Sequence, residues 1–198
     1  MKNRFNLLYN PEETWHAIKA KQFTVQKVYV RFLILMALIP VSAAFIGTVY
    51  IGWQVGSEES TKLTPNSALM ISVAAYIGML AGAYIFAQFV RWMAKTYGSD
   101  ASLADCFALV VYSATPLFLA GIVSVYPILW LDTLVTLAAL AYAVYLLFIG
   151  TPIMMGVNQE KGFMFSNSII AVAMVLAVGS IAISVLFWGI GIAPEFTV

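Results

Sequence analysis

The sequence predicts an all-α membrane protein: a five-transmembrane-helix bundle with a short N-terminal cytoplasmic amphipathic helix. Three observations lead there. Of the 198 residues, 62% are hydrophobic and only 10% are charged, whereas soluble domains carry about 25% charged residues. Mean hydropathy is +0.92, and the apolar residues gather into runs of about 20, the length that crosses a bilayer. The Lys and Arg residues gather in every other connection, nearly all on one side of those runs, as the positive-inside bias of membrane proteins predicts.

The first span is expected over 32–52, the second over 66–90 and the third over 106–127. The fourth is expected over 133–150 and the fifth over 166–191. No Asp, Glu, Lys, Arg or His lies inside any of them. Between the third and fourth, Pro127 to Asp132 must make a tight interfacial turn, for which a proline, a carboxylate and Trp130 are suited. Backbone left unpaired in lipid is expensive, so all five are read as helices.

Lys2, Arg4, Lys19, Lys21, Lys27 and Arg31 precede the first span. Arg91 and Lys95 follow the second, Lys161 precedes the fifth, and only Lys62 lies on the opposite side. This bias predicts a cytoplasmic N-terminus and, with five spans, a C-terminus outside. Arg91 and Lys95 are read first as interfacial anchors, with contacts to anionic lipid as the alternative.

Residues 1–31 form a cytoplasmic arm and 32–198 a single transmembrane domain. The arm is polar and of mixed charge, without the apolar core of a secretory signal, so the first true span is expected to direct insertion. In "YNPEETWHAIKAKQF", Asn10 stands at an N-cap, Pro11 at N1 and Glu13 at N3. Trp15, Ile18 and Val25 share one side. That pattern fits an amphipathic helix on the membrane surface or a cap packed under the bundle.

Net charge is +1, with one Cys and one His. The charge excludes a general nucleic-acid surface. A single Cys and a single His leave no ligand set for a Cys/His metal site, and no cofactor is expected. Asp105 closes a capping box with Ser102 in "SLAD". Glu58, Glu59, Asp132 and Glu160 fall in loops or at interfaces. Carboxylate pairs or proton paths belong inside a bundle, and the membrane serines lack a His or Lys to activate them. Enzymatic or pump chemistry is therefore not expected.

Two constellations remain. Gly78 and Gly82 form a GxxxG in the second span, extended upstream by Ala74. In the fifth span Ser166, Ala173, Ala177, Ser180 and Ser184 line one arc. Small residues let membrane helices approach closely, within the chain or in a homodimer. In the third span, "YSATP" places Pro116 so as to disturb the carbonyl of Tyr112. Ser113 and Thr115 are hydroxyls of the kind that re-satisfy freed backbone groups, and Gly121 admits a neighbouring helix. Tyr76, Tyr84, Tyr112, Tyr142 and Tyr145 lie deep, and each hydroxyl needs a partner.

Tyr112-Ser-Ala-Thr-Pro116, followed by "LFLAGI", resembles the third-span pattern of the Yip (Ypt-interacting protein) membrane family. "NPEETWHAI" is similar to the start of the domain in prokaryotic members. "LIPVSAAFIGTVYIGW" and "TPLFLAGIVSVYPILWL" are similar to bacterial inner-membrane members. The resemblance covers roughly residues 6 to 190. It implies five spans, a cytoplasmic N-terminus and a short periplasmic C-terminus. Eukaryotic members bind Rab-type small GTPases. Here, however, Val111 replaces the family's glycine before the motif tyrosine, the arm is short, and the Asp-Leu-Tyr-Gly-Pro segment is absent. Rab binding is not carried over.

These readings favour a non-enzymatic membrane scaffold or adaptor, whose partners are the bilayer and either a second copy or another membrane protein. The runner-up is a passive channel or carrier for a small neutral or amphipathic solute, with Tyr112, Thr115 and other deep tyrosines lining its path. Lipid handling by a groove between the third and fourth spans ranks last.

Overall fold

A computed structural model describes residues 6–21, 23–53, 60–189, 191 and 193–197. Lys2 and Arg4 of the basic count, Gln22, Glu58 and Glu59 lie outside the described residues. Among the described residues the chain is helical, with two isolated antiparallel bridges, Trp53 to Thr61 and Leu63 to Phe196. Five helices are long and apolar enough to span a membrane: Val25–Ile51, Pro65–Tyr97, Leu103–Val125, Leu129–Met155 and Gln159–Gly189.

Most of these helices run past the apolar stretches that predict them, because capping chemistry sets their ends. Thr64 caps the second span, its hydroxyl accepting from the Ser67 N–H, and Pro65 supplies a first-turn residue that needs no donor. The third begins with a closed capping box: Ser102 Oγ accepts from Asp105 N at 3.2 Å, and Asp105 Oδ2 accepts from Ser102 N at 3.0 Å. The fourth resumes at Leu129, so the turn after the third span is shorter than the expected Pro127 to Asp132, and Asp132 sits in a first helical turn. Gly156 ends that helix at φ 66°, a left-handed cap that a side chain disfavours.

The third span is the centre of the bundle. It touches the first, second and fourth, and more than half of its most apolar stretch is buried. The fourth packs on the fifth, and the fifth also touches the second. The first span is irregular, with π-helical turns over Tyr29–Leu33 and Gly47–Ile51 and Pro40 between them. Both π segments insert an extra residue per turn, which re-aims the helix around its neighbours.

The arm forms a helix over Pro11–Ala20. The Asn10 side chain bonds the Glu13 carboxylate instead of a backbone N–H, so it does not cap the helix; Thr14 Oγ1 donates to Asn10 O at 2.6 Å. Trp15 and Ile18 are buried and the helix packs on the fourth span. Of the two placements open to this helix, the structure shows the cap against the bundle.

The two ends of the bundle are built differently. At one end the segment after the second span meets the end of the fourth and the start of the fifth: Ser99 Oγ donates to Met155 O, and the Tyr97 ring stacks on Phe165 at 4.7 Å. At the other, the C-terminal tail lies on the loop before the second span. There Thr64 N donates to Glu195 O at 2.8 Å and Ser67 Oγ to Ala193 O at 3.0 Å.

Candidate functional site

Polar groups inside the bundle concentrate where the third span breaks. Helix runs over Leu103–Ser113, Ala114 makes a turn, and helix resumes over Thr115–Ala120 before a tighter 3-10 turn at Gly121–Val125. Pro116 causes the break, since it lacks an N–H and its ring crowds the carbonyl of Tyr112. Thr115 Oγ1 donates to that carbonyl at 2.7 Å. Ala114 N still reaches Val110 O at 3.1 Å, and Phe118 N reaches Ala114 O at 3.2 Å. The proline therefore costs the backbone little, and the break is held open by a local bond.

The groups around the break are enclosed. Tyr112 and Thr115 are each 1% exposed. The Tyr112 ring meets Phe32 edge-on at 4.7 Å and Trp15 at 6.5 Å. Ser113 is buried, and its Oγ has no hydrogen-bond partner among the described residues; the same holds for Ser166 Oγ and Trp15 Nε1. A channel or carrier needs a path past Tyr112 and Thr115, and aromatic rings fill the space beside Tyr112.

Gly121 has a different neighbour from any that spacing alone identifies. A Cβ on Gly121 would collide with the Pro40 side chain and come within 2.8 Å of Pro40 Cα. One turn further on, a Cβ on Gly47 would run into the Ser124 carbonyl and lie 2.9 Å from that of Val125. Two glycines, one on each partner, thus seat the first span directly on the unwound end of the third.

The small-residue faces go elsewhere. Around Gly78 and Gly82 no neighbour among the described residues comes within 4 Å of where a Cβ would sit. Both are exposed, and Ala74 is half-buried. In the fifth span Ser166 is buried and Ala173 half-buried, while Ala177, Ser180 and Ser184 are exposed. Ser180 Oγ donates to Ala177 O and Ser184 Oγ to Ile181 O, both at 2.7 Å, so these hydroxyls are satisfied by their own helix. The structure brings Tyr112, Ser113, Thr115 and Pro116 together at one break. Among the described residues it does not bring Gly78 and Gly82, or the exposed outer part of the serine seam, against another helix.

Of the deep tyrosines, Tyr76 OH donates to Ile34 O at 3.1 Å and Tyr142 OH to Leu8 O at 2.9 Å. Tyr84 accepts from Gln88 Nε2 at 3.2 Å, and Tyr145 is 49% exposed. Among the described residues no three His, Cys, Asp or Glu side chains gather as metal ligands.

Sequence spacing missed the junction that holds the arm. Lys19 Nζ lies 3.1 Å from Asp105 Oδ1 and donates to Met154 O at 2.8 Å. Beside it, Trp15 fills the space opposite Gly150, where a Cβ would come within 2.6 Å of the indole and 2.9 Å of Leu109. The only advance signal was the Trp15 and Ile18 face, which does not name what covers it.

Comparison with known proteins agrees with a membrane protein. Inner membrane protein YohC of Escherichia coli (strain K12) is 38% identical over 191 residues, covering 96% of this chain and 98% of that protein. The protein of the same name from Escherichia coli O6:H1 matches to the same extent. No solved structure gives a significant match. The Yip1 domain matches residues 5–192, and the chain belongs to the Yip1 domain family of membrane proteins.

Proposed function

We propose that the chain is a non-enzymatic membrane scaffold, working by association of its bare small-residue faces with a second membrane helix. The observation that carries this reading is the empty space at Gly78 and Gly82. Lipid tails are as apolar as leucine, so membrane helices are held together by close backbone approach at small residues. A glycine pair spaced for that approach has no partner among the described residues. In the fifth span every residue from 180 to 189 is exposed, a second bare stretch of membrane helix.

The partner is a second copy or another membrane protein. The charge bias supports an arm in the cytoplasm and a C-terminal tail in the periplasm, and the similarity to YohC supports an inner membrane. The test is cross-linking through single cysteines at positions 78 and 82 in native membranes, in a Cys106→Ala background. Cross-linked species from these positions, and none from Tyr145 on the exposed side of the fourth span, support the reading. Equal cross-linking at all three removes it.

A further inference from the structure

Among the described residues, Trp15 is the largest side chain that the bundle encloses completely, at 0% exposure. Its ring fills the space left at Gly150 and meets Tyr112 edge-on at 6.5 Å. Its Nε1, however, has no hydrogen-bond partner among the described residues. A buried tryptophan ordinarily finds an acceptor, and an indole N–H without one carries the full cost of losing water. The slot therefore suits the ring and not its polar edge.

The polar ties that hold the arm are only partly buried. Lys19 reaches Asp105 at 3.1 Å and the Met154 carbonyl at 2.8 Å, and Tyr142 OH donates to Leu8 O at 2.9 Å. Thr14, Trp15 and Ile18 make the buried face of the arm helix, while Glu12, Glu13 and His16 are exposed. The same division into an apolar and a polar face holds a helix in the plane of a membrane surface. That surface is close by, because only Lys21 to Thr24 separate the end of the arm helix from the first span, which begins at Val25.

We propose that the arm helix has two seats, the slot in the bundle and the bilayer surface beside it, and that anionic lipid draws it from the first to the second. The docking contacts have interfacial counterparts. On the bilayer Trp15 keeps an apolar setting for its ring and gains headgroup oxygens for Nε1, the combination that concentrates tryptophan at membrane interfaces. Lys19 exchanges the Asp105 carboxylate for a lipid phosphate. Lys21 and Lys27, both exposed in the docked arm, add to the attraction. Glu12, Glu13 and His16 stay toward water. Release bares Gly150, Leu109 and one side of Tyr112, so the seat of the arm decides whether the third-span break is covered.

The experiment places the full chain, in a Cys106→Ala background, in nanodiscs of phosphatidylcholine alone or mixed equally with phosphatidylglycerol. Spin labels at His16→Cys and Leu129→Cys, both exposed and at opposite ends of the bundle, report the distance from the arm to the far end by double electron–electron resonance. Phosphatidylcholine should give mainly the docked distance. Phosphatidylglycerol should enlarge a second population at least about five-fold, the equivalent of about 1 kcal/mol for one cation at an anionic surface. Asp105→Asn frees Lys19 for phosphate and should enlarge that population further. Lys19→Met weakens the docked seat but offers no cation, so its released fraction should depend less on lipid. A control pair, Phe163→Cys and Leu129→Cys, should read one distance in both lipids. The same single distance in both lipids, with and without Asp105→Asn, overturns the proposal. So does a second population of equal size in the two lipids, the mark of a loose arm without a membrane seat, or a control pair that shifts along with the arm pair.

Discussion

Lys19 of the arm and Asp105 at the start of the third span are joined at 3.1 Å, and the same ammonium donates to the carbonyl of Met154 at the end of the fourth. One side chain thus links three segments that are far apart in sequence. Asp105 also caps its own helix through Ser102, so its carboxylate is oriented before Lys19 arrives. The pair is partly exposed, with side-chain exposures of 37% and 23%. Its charge–charge part is correspondingly screened, and the bond to the Met154 carbonyl carries more of the effect.

Replacing Lys19 with Met should therefore loosen the arm without unfolding the bundle, at a cost of about 1–2 kcal/mol. Limited trypsin digestion checks this. Cleavage after the exposed Lys21 should quicken several-fold in the variant, while the spans stay intact. An unchanged cleavage rate would mean that Trp15 alone holds the arm.

Glycines inside and outside the bundle should respond oppositely to a methyl group. Gly121→Ala drives a Cβ into Pro40, and Gly47→Ala drives one into the carbonyls of Ser124 and Val125. Overpacking of this kind costs about 1–3 kcal/mol. Gly78→Ala and Gly82→Ala meet nothing and should leave the stability of the monomer unchanged, or raise it by up to about 1 kcal/mol through helix propensity. Thermal unfolding of the four variants in detergent separates the two classes.

At the third-span break, Thr115→Val removes the donor to the Tyr112 carbonyl and should destabilise the protein by about 1 kcal/mol. Thr115→Ser restores the donor and should recover most of that loss. If both variants behave alike, the hydroxyl is not what compensates Pro116.

Five spans were legible because apolar runs of bilayer length are a strong signal. The break was legible because a proline acts on a known carbonyl, and Tyr112, Thr115 and Pro116 are adjacent in the chain. What spacing does not encode is direction. A stripe of small residues reads the same whether it faces a neighbouring helix or lipid, since both are apolar. Gly78 and Gly82 therefore announced a face and not its occupant. The contacts of Gly121 with Pro40, Trp15 with Gly150 and Lys19 with Asp105 join residues more than 80 apart in sequence. No local period reports such pairs.

The measurement that tests the scaffold reading most directly is the association state of the wild type and Gly82→Leu, by native mass spectrometry from mild detergent. The account predicts a stoichiometric homodimer or defined protein complex for the wild type. For Gly82→Leu it predicts a folded monomer, with association weakened at least ten-fold, about 1.4 kcal/mol. A wild-type protein that is monomeric and partner-free, or a Gly82→Leu variant that associates as the wild type does, would contradict it.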